Sequence, residues 1–150
     1  METRLEKIKQ LREETGLSIQ ECKRAIEEAD GNTEKAKEIL KIRGKELAGK
    51  RTARIAGQGI VESYIHPTGK VGVLLDLRCE SDFVARGEDF KKLAHELCLQ
   101  IASMEPEALE DLMAQPWIRD QARAIKDLVD EYIAKIGENI VVNNFTRYEI

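Results

Sequence analysis

The chain has 150 residues and a net charge of −4, from 24 Lys and Arg against 28 Asp and Glu. This length allows one medium-sized domain, or a small module joined to a larger one, with a buried core. The acidic balance argues against a general nucleic-acid-binding protein, and no long uncharged apolar run predicts a membrane span. Because the N-terminus also has no apolar signal region, we expect a soluble protein of the cytoplasm.

The charge is unevenly distributed along the chain. Residues 1–54 hold 14 basic and 11 acidic side chains, whereas the remainder holds 10 and 17. The one strongly basic segment consists of Lys41, Arg43, Lys45, Lys50, Arg51 and Arg54. Since the chain as a whole is acidic, we interpret this segment as a solvated helix face or linker.

Three cysteines, Cys22, Cys79 and Cys98, are too few and too widely spaced for a zinc site or a disulfide framework. We therefore expect reduced, buried thiols. His66 and His95 have no partner residues that would indicate a metal site or a Cys–His catalytic pair, and no glycine-rich phosphate loop occurs. The sequence predicts no metal site, no cofactor and no nucleotide site.

The first fifty residues predict three short helices. Gly16 ends the first, because glycine accepts the left-handed conformation of a helix C-terminus. Ser18 and Glu21 form a predicted capping box for the second helix. Asn32 is the predicted cap of the third helix, which Gly44 is expected to end. The inward-facing residues are predicted to be Leu5, Ile8, Leu11, Cys22, Ile26, Ala29, Ala36, Ile39 and Leu40.

The chain after this helical part predicts a connecting helix or linker over residues 45–57 and a mixed domain over residues 58–150. Strands are predicted over residues 58–66 and 70–79, because Pro67 and Gly69 between them favour a turn. The core-facing residues of the second strand are predicted to be Val71, Val73, Leu75, Leu77 and Cys79.

Helical periodicity returns after Gly87, with an apolar stripe of Phe90, Leu93, Leu97, Cys98 and Ile101. A short helix is expected between Pro106 and Pro116, followed by a long amphipathic helix over residues 118–136 that Gly137 ends. A last strand is predicted over residues 140–146. The fold class is α+β, with three helices followed by a three-stranded antiparallel sheet packed against helices.

A sharp corner between the second strand and the long helix is the feature that most needs an explanation. It comprises Cys79–Arg86, and Ser81 and Asp82 suit a helix start because their side-chain oxygens can accept from free backbone N–H groups. Phe83 follows at a position where a first-turn side chain is often exposed. The pattern leaves two interpretations open, a core Phe83 that tucks under the sheet and an exposed Phe83 used in recognition.

Four separated motifs occur in an order that resembles the elongation factor Ts family, and together they cover nearly the whole chain. They are Leu11–Gly16 with Glu21–Ile26 and Gly31–Ala36, Ala53–Ile60, Ser81–Ala85, and Ile136–Ile140. The resemblance implies that residues 1–44 have the three-helix fold of ubiquitin-associated domains.

The resemblance also implies a function, that of a guanine-nucleotide exchange factor for the GTPase elongation factor Tu, with no active site of its own. The corner residues that would enter the GTPase beside its magnesium site are Ser81, Asp82, Phe83 and Val84. The residues of the N-terminal module that would contact a separate helix of the GTPase are Arg12, Ile19, Gln20 and Lys23.

Some positions depart from the family pattern. Ile19 and Gln20 stand where many relatives have two methionines, Ser81 stands where Thr is usual, and Gln58 replaces a usual Glu. Longer relatives also carry a second copy of the core subdomain and a helical hairpin. With one copy, one sheet face would stay uncovered, so we expect a homodimer that binds two GTPases in a 2:2 assembly.

Two other function classes stay open beside the exchange factor. One is a non-catalytic module that binds another helix or a ubiquitin-like surface. The other is an enzyme that uses Cys79 or Cys98, which no spacing in the sequence supports. An assay of GDP release from elongation factor Tu separates these classes.

Overall fold

The computed structural model of the chain describes all residues from Met1 to Ile150. The helices are α1 (Arg4–Thr15), α2 (Ile19–Glu28), α3 (Thr33–Arg51), α4 (Asp82–Ala85), α5 (Glu88–Met104), α6 (Leu109–Ala114) and α7 (Ile125–Ile136). The strands are β1 (Gln58–Ile65), β2 (Val71–Cys79), β3 (Pro116–Trp117), β4 (Asp120–Ala124) and β5 (Val141–Glu149). The predicted α+β class is confirmed.

The main sheet has three antiparallel strands in the order β1-β2-β5. Leu77 in the central strand lies opposite Ile60 of β1 and Val142 of β5. The alternation predicted for β2 is confirmed, since Val73, Leu75, Leu77 and Cys79 are buried on one face and Val71 is half-buried.

Helix α5 covers that inner face of the sheet. All five residues of its predicted apolar stripe, from Phe90 to Ile101, are fully buried, whereas His95 is exposed. They form a core of 19 buried residues with the inner face of β2 and the apolar side of α7. Burial of this apolar surface is the main term that stabilises the fold.

The N-terminal helices α1, α2 and α3 form a second, smaller apolar cluster that also includes Ala134 of α7. Gly16 ends α1 at φ 70°, as predicted, and Ser18 Oγ accepts from Glu21 N at 3.2 Å. The capping box predicted at Ser18 is incomplete, because the Glu21 carboxylate pairs with Arg43 at 3.3 Å instead. The inward position predicted for Leu5 is wrong, since this side chain is 62% exposed.

Helix α3 does not end at Gly44, contrary to the prediction, and continues to Arg51. Gly44 is buried where α3 crosses α7, and a Cβ added there would lie 3.7 Å from Ala134 Cβ. A methyl group would fit there in ordinary van der Waals contact, and the position is an interior one of the helix, so Gly44 neither ends α3 nor is required by its packing. As a result, one continuous helix joins the N-terminal module to the core domain.

The basic segment of α3 is used inside the molecule to a greater extent than the prediction of a solvated face allowed. Arg51 Nη1 donates to the carbonyl of Ile133 at 2.8 Å, next to the C-terminal end of α7. Lys45, which precedes Arg51 on α3, pairs with Asp127 of α7 at 3.1 Å. These contacts fix the crossing of α3 and α7.

The long helix predicted over residues 118–136 is wrong in its first part. Residues Pro116–Trp117 and Asp120–Ala124 form a two-stranded hairpin, and α7 begins only at Ile125. The reason lies in α5, where the fully buried Gln100 accepts from Ile118 N at 2.9 Å and donates to the Pro116 carbonyl at 3.0 Å. These bonds compete with helix formation in this segment.

Replacing Gln100 by Ala should lower the free energy of unfolding by about 2 kcal/mol, because two backbone groups lose their hydrogen-bond partner and a fully buried side chain is truncated. Urea unfolding followed by circular dichroism measures this change. The exposed His95→Ala, on the same helix, is the control and should stay within about 0.5 kcal/mol of the wild type. Equal effects of the two substitutions would contradict this role of Gln100.

Candidate functional site

The corner joins β2 to α5 through the single helical turn α4. Ser81 is its N-cap, and Ser81 Oγ accepts from Val84 N at 3.3 Å. Gly87 N donates to the Val84 carbonyl at 2.9 Å, and the chain there turns into α5. The prediction that Gly87 separates the corner from the long helix is confirmed.

Phe83 points away from the core, with 85% of its surface exposed. Its neighbours on the same turn hold the turn in place, because Val84 packs against the core and Ala85 is buried. The interpretation of Phe83 as a core residue is therefore wrong. Asp82 is also exposed and pairs with Arg86 at 2.9 Å on the surface, an ion pair that contributes little to stability.

The backbone of the corner is held by Glu138, a residue that lies just after α7 and far from the corner in sequence. The Glu138 carboxylate accepts from Glu80 N at 3.0 Å, from Ser81 N at 2.9 Å and from Ser81 Oγ at 2.7 Å. Beneath it, Cys79 Sγ donates to the Ser81 carbonyl at 3.2 Å. Sequence reasoning included Glu138 in a family motif but assigned it no role, because nothing local indicates a contact 57 residues away.

The three thiols are in surroundings that suppress their reactivity. Burial, with the nearby Glu138 carboxylate, raises the pKa of Cys79 to about 11. Burial raises the pKa of Cys98 to about 12, and it raises the pKa of Cys22 as well. Because the thiolate is the nucleophile, these protonated thiols argue against an enzyme that uses Cys79 or Cys98.

The residues predicted to bind a partner through the N-terminal module lie on two helices that precede the corner in sequence. Arg12 is in the last turn of α1, and Ile19, Gln20 and Lys23 are in the first half of α2. All four side chains are exposed. The corner follows β2 of the main sheet, whereas these four residues belong to the helices α1 and α2.

Two further features of the chain bear on its chemistry. No group of three or more His, Cys, Asp or Glu side chains is arranged to hold a metal ion. None of the helices has both the length and the apolar character that crossing a membrane requires.

Comparison with known proteins identifies the family. A family model described as Elongation factor TS matches residues 80–150, which begin within the corner. The elongation factor Ts of Coprothermobacter proteolyticus is 41% identical, over 100% of this chain and 99% of that protein. The chain belongs to the elongation factor Ts family. It is thus a member of a family of translation elongation factors, and the resemblance seen in its motifs is confirmed.

Other elongation factor Ts proteins are similar to the same extent. The protein from Thermotoga maritima is 39% identical, over 100% of this chain and 97% of its own length. The protein from Moorella thermoacetica is 38% identical, over 95% of this chain and 93% of its own length. The Coprothermobacter alignment extends over 195 positions, whereas this chain has 150 residues. The Coprothermobacter protein therefore has residues inside the matched region that this chain lacks.

The state of the thiols can be tested by alkylation. Iodoacetamide at pH 8 should modify none of the three cysteines in the folded protein within about an hour, because each thiol is buried and protonated. In denaturant all three should react. Mass spectrometry counts the adducts, and rapid modification of Cys79 or Cys98 in the folded chain would return the enzyme hypothesis to consideration.

Proposed function

We propose that this elongation factor Ts family member is a guanine-nucleotide exchange factor for elongation factor Tu in the cytoplasm. It would promote GDP release by inserting the corner residues Ser81, Asp82, Phe83 and Val84 beside the magnesium site of the GTPase. The observation that carries this proposal is an 85% exposed Phe83 on a turn whose backbone is held by hydrogen bonds on both sides.

An exposed phenylalanine on a fixed turn has the properties of an interface anchor. Its ring offers a large apolar area and has only two side-chain torsions to immobilise, so binding costs little conformational entropy. Val84 and Ala85 pack against the core behind it. The sheet and α5 therefore act as a rigid support when Phe83 is pressed into a partner.

Exchange follows from linkage between two ligands of one GTPase. If the inserted corner is incompatible with the conformation that GDP and Mg²⁺ stabilise, exchange factor and nucleotide lower each other's affinity by the same factor. Displacing the Mg²⁺ ion removes a large positive charge that holds the diphosphate. The residues of this chain supply shape and binding energy in this scheme, and no covalent step is needed.

The N-terminal module would supply affinity at a second contact, through Arg12, Ile19, Gln20 and Lys23. The continuous helix α3 supports this arrangement, because it connects the module to the core domain without a flexible break before residue 52. Two contacts on one rigid body bind better than two on a flexible chain, since fewer degrees of freedom are lost. Ile19 still offers exposed apolar surface where many relatives have methionine.

Replacing Phe83 by Ala should lower the rate of GDP release from elongation factor Tu roughly 30-fold, the equivalent of about 2 kcal/mol for an interface anchor. The measurement follows a fluorescent GDP analogue after addition of catalytic amounts of the chain. The unfolding free energy of the variant should stay within about 0.5 kcal/mol of the wild type, because the side chain is exposed.

Met104→Ala is the matched control for Phe83→Ala. Met104 is an exposed apolar residue at the opposite end of α5, whose 17 residues span about 25 Å. This variant should release GDP at the wild-type rate. Wild-type protein that binds the GTPase without accelerating release would contradict the exchange function and favour a plain interaction module.

We also propose that the chain forms a homodimer through the outer face of the sheet, giving a 2:2 assembly with elongation factor Tu. The side chains on that face include five exposed apolar residues, Val61, Ile65, Leu74, Val141 and Tyr148. Leu74 lies at the centre, opposite Ser63 on one side and Thr146 on the other. A second copy of the same sheet can cover this face in a two-fold, self-complementary interface.

Leu74→Asp should convert the dimer to a monomer at micromolar concentration, because a carboxylate buried between two sheets has no partner. Multi-angle light scattering measures the mass. Ile42→Asp changes an exposed apolar residue on α3, outside the sheet, and should leave the dimer intact. A monomeric wild-type chain would contradict the dimer proposal.

A further inference from the structure

We propose that Glu138 is a positioning residue for nucleotide exchange, whose carboxylate fixes the backbone from which Phe83 projects. This inference rests on the exchange function proposed above. Glu138 lies just after α7, 55 residues beyond Phe83 in the sequence, and its carboxylate reaches Glu80 and Ser81 because the chain returns to the corner before β5 begins.

The hydrogen bonds of Glu138 are all directed at the corner. One carboxylate oxygen accepts from the backbone N–H groups of Glu80 and Ser81, and the other accepts from the Ser81 hydroxyl. A carboxylate can only accept, so the hydroxyl hydrogen must point to Glu138. A lone pair of Ser81 Oγ is then directed to Val84 N, 3.3 Å away, and caps the turn that carries Phe83.

A reciprocal bond makes this connection two-sided. The Glu80 carboxylate accepts from Asn139 N at 2.6 Å, while Glu138 accepts from Glu80 N. Each segment therefore supplies a carboxylate to the backbone of the other. Charge-assisted bonds of this kind are shorter and stronger than bonds between neutral groups.

The same cluster also holds the segment that follows α3. The buried side chain of Asn139 donates to the carbonyl of Arg54 at 2.8 Å, and Arg54 lies 3.6 Å from the Glu80 carboxylate. Three segments that are distant in sequence, around residues 54, 80 and 138, thus converge on one polar cluster. The corner is coupled through it to the helix that carries the N-terminal module.

A positioning role for Glu138 follows from the small number of contacts that the Phe83 ring makes within its own chain. That ring is exposed and packs little against its own chain, so its direction depends on the backbone of residues 80–84. If that backbone were free to move, ordering it on binding would cost conformational entropy that the interface must offset. Hydrogen bonds formed before binding remove this cost, and Glu138 supplies three of them.

The alternative is that Glu138 serves only the stability of the fold, and the surroundings of the residue allow the two roles to be separated. Glu138 is half-buried and lies outside both apolar clusters. Its three bonds go to residues 80 and 81 alone. Loss of the carboxylate should therefore loosen the corner locally while the core and the N-terminal module remain folded.

The test compares Glu138→Ala, Glu138→Gln and the wild type in two measurements. Amide hydrogen exchange should become about tenfold faster or more at Ser81 and Val84 in Glu138→Ala, and should be unchanged in β2 and α5. The rate of GDP release at a concentration of exchange factor well below saturation should fall about tenfold, because ordering the corner makes binding less favourable. Glu138→Gln keeps one acceptor oxygen for the two backbone N–H groups, so it should recover most of both properties.

Asp130→Ala serves as the control, since this carboxylate on α7 pairs only with Lys126 and does not touch the corner. It should change neither measurement. Unchanged exchange at Ser81 and Val84 in Glu138→Ala would overturn the anchoring role, and faster amide exchange with full GDP release would overturn the positioning role. A wild-type chain without exchange activity would refute the proposed function, while the hydrogen-exchange data would still decide whether Glu138 anchors the corner.

Discussion

The packing of α5 on the inner face of β2 is the interaction on which the remaining structure depends. Phe90, Leu93 and Leu97 are fully buried against β2, whose inward-facing residues from Val73 to Cys79 are buried as well. Because the two elements are joined directly by the corner, fixing them against each other also fixes the ends of residues 80–87. The corner is thus a short segment between two rigid supports, from which the exposed Phe83 projects.

Apolar and polar interactions have different tasks in this chain. Apolar burial supplies the bulk of the stability in the core and in the smaller cluster of the N-terminal helices. Polar interactions determine the direction of individual segments. Gln100 directs the β3–β4 hairpin and Glu138 directs the corner, and each bonds backbone groups that no regular element satisfies.

The relation between the two parts of the chain rests on a helix crossing. Gly44 of α3 is buried beside Ala134 of α7, and Arg51 donates to the backbone carbonyl of Ile133 near the end of α7. The N-terminal module and the core domain are consequently connected by a continuous helix and by side-chain contacts.

Local sequence determined a large part of the secondary structure of this protein. The alternation in β2, the stripe of α5, the end of α1 at Gly16 and the break at Gly87 all follow from periodicity and backbone preference, which act over a few residues. The motif order likewise identified the family, and Ser81 was correctly expected to begin a helical turn.

Tertiary structure decided what depends on contacts between distant residues. The period of residues 118–136 fitted a helix, yet Gln100 bonds the first part of that segment into a hairpin. Gly44 suits a helix end in isolation but lies in a helix crossing. Exposure of Phe83 and its support by Glu138 were also undecided by pattern, because burial and long-range hydrogen bonds are properties of the assembled chain and not of neighbouring residues.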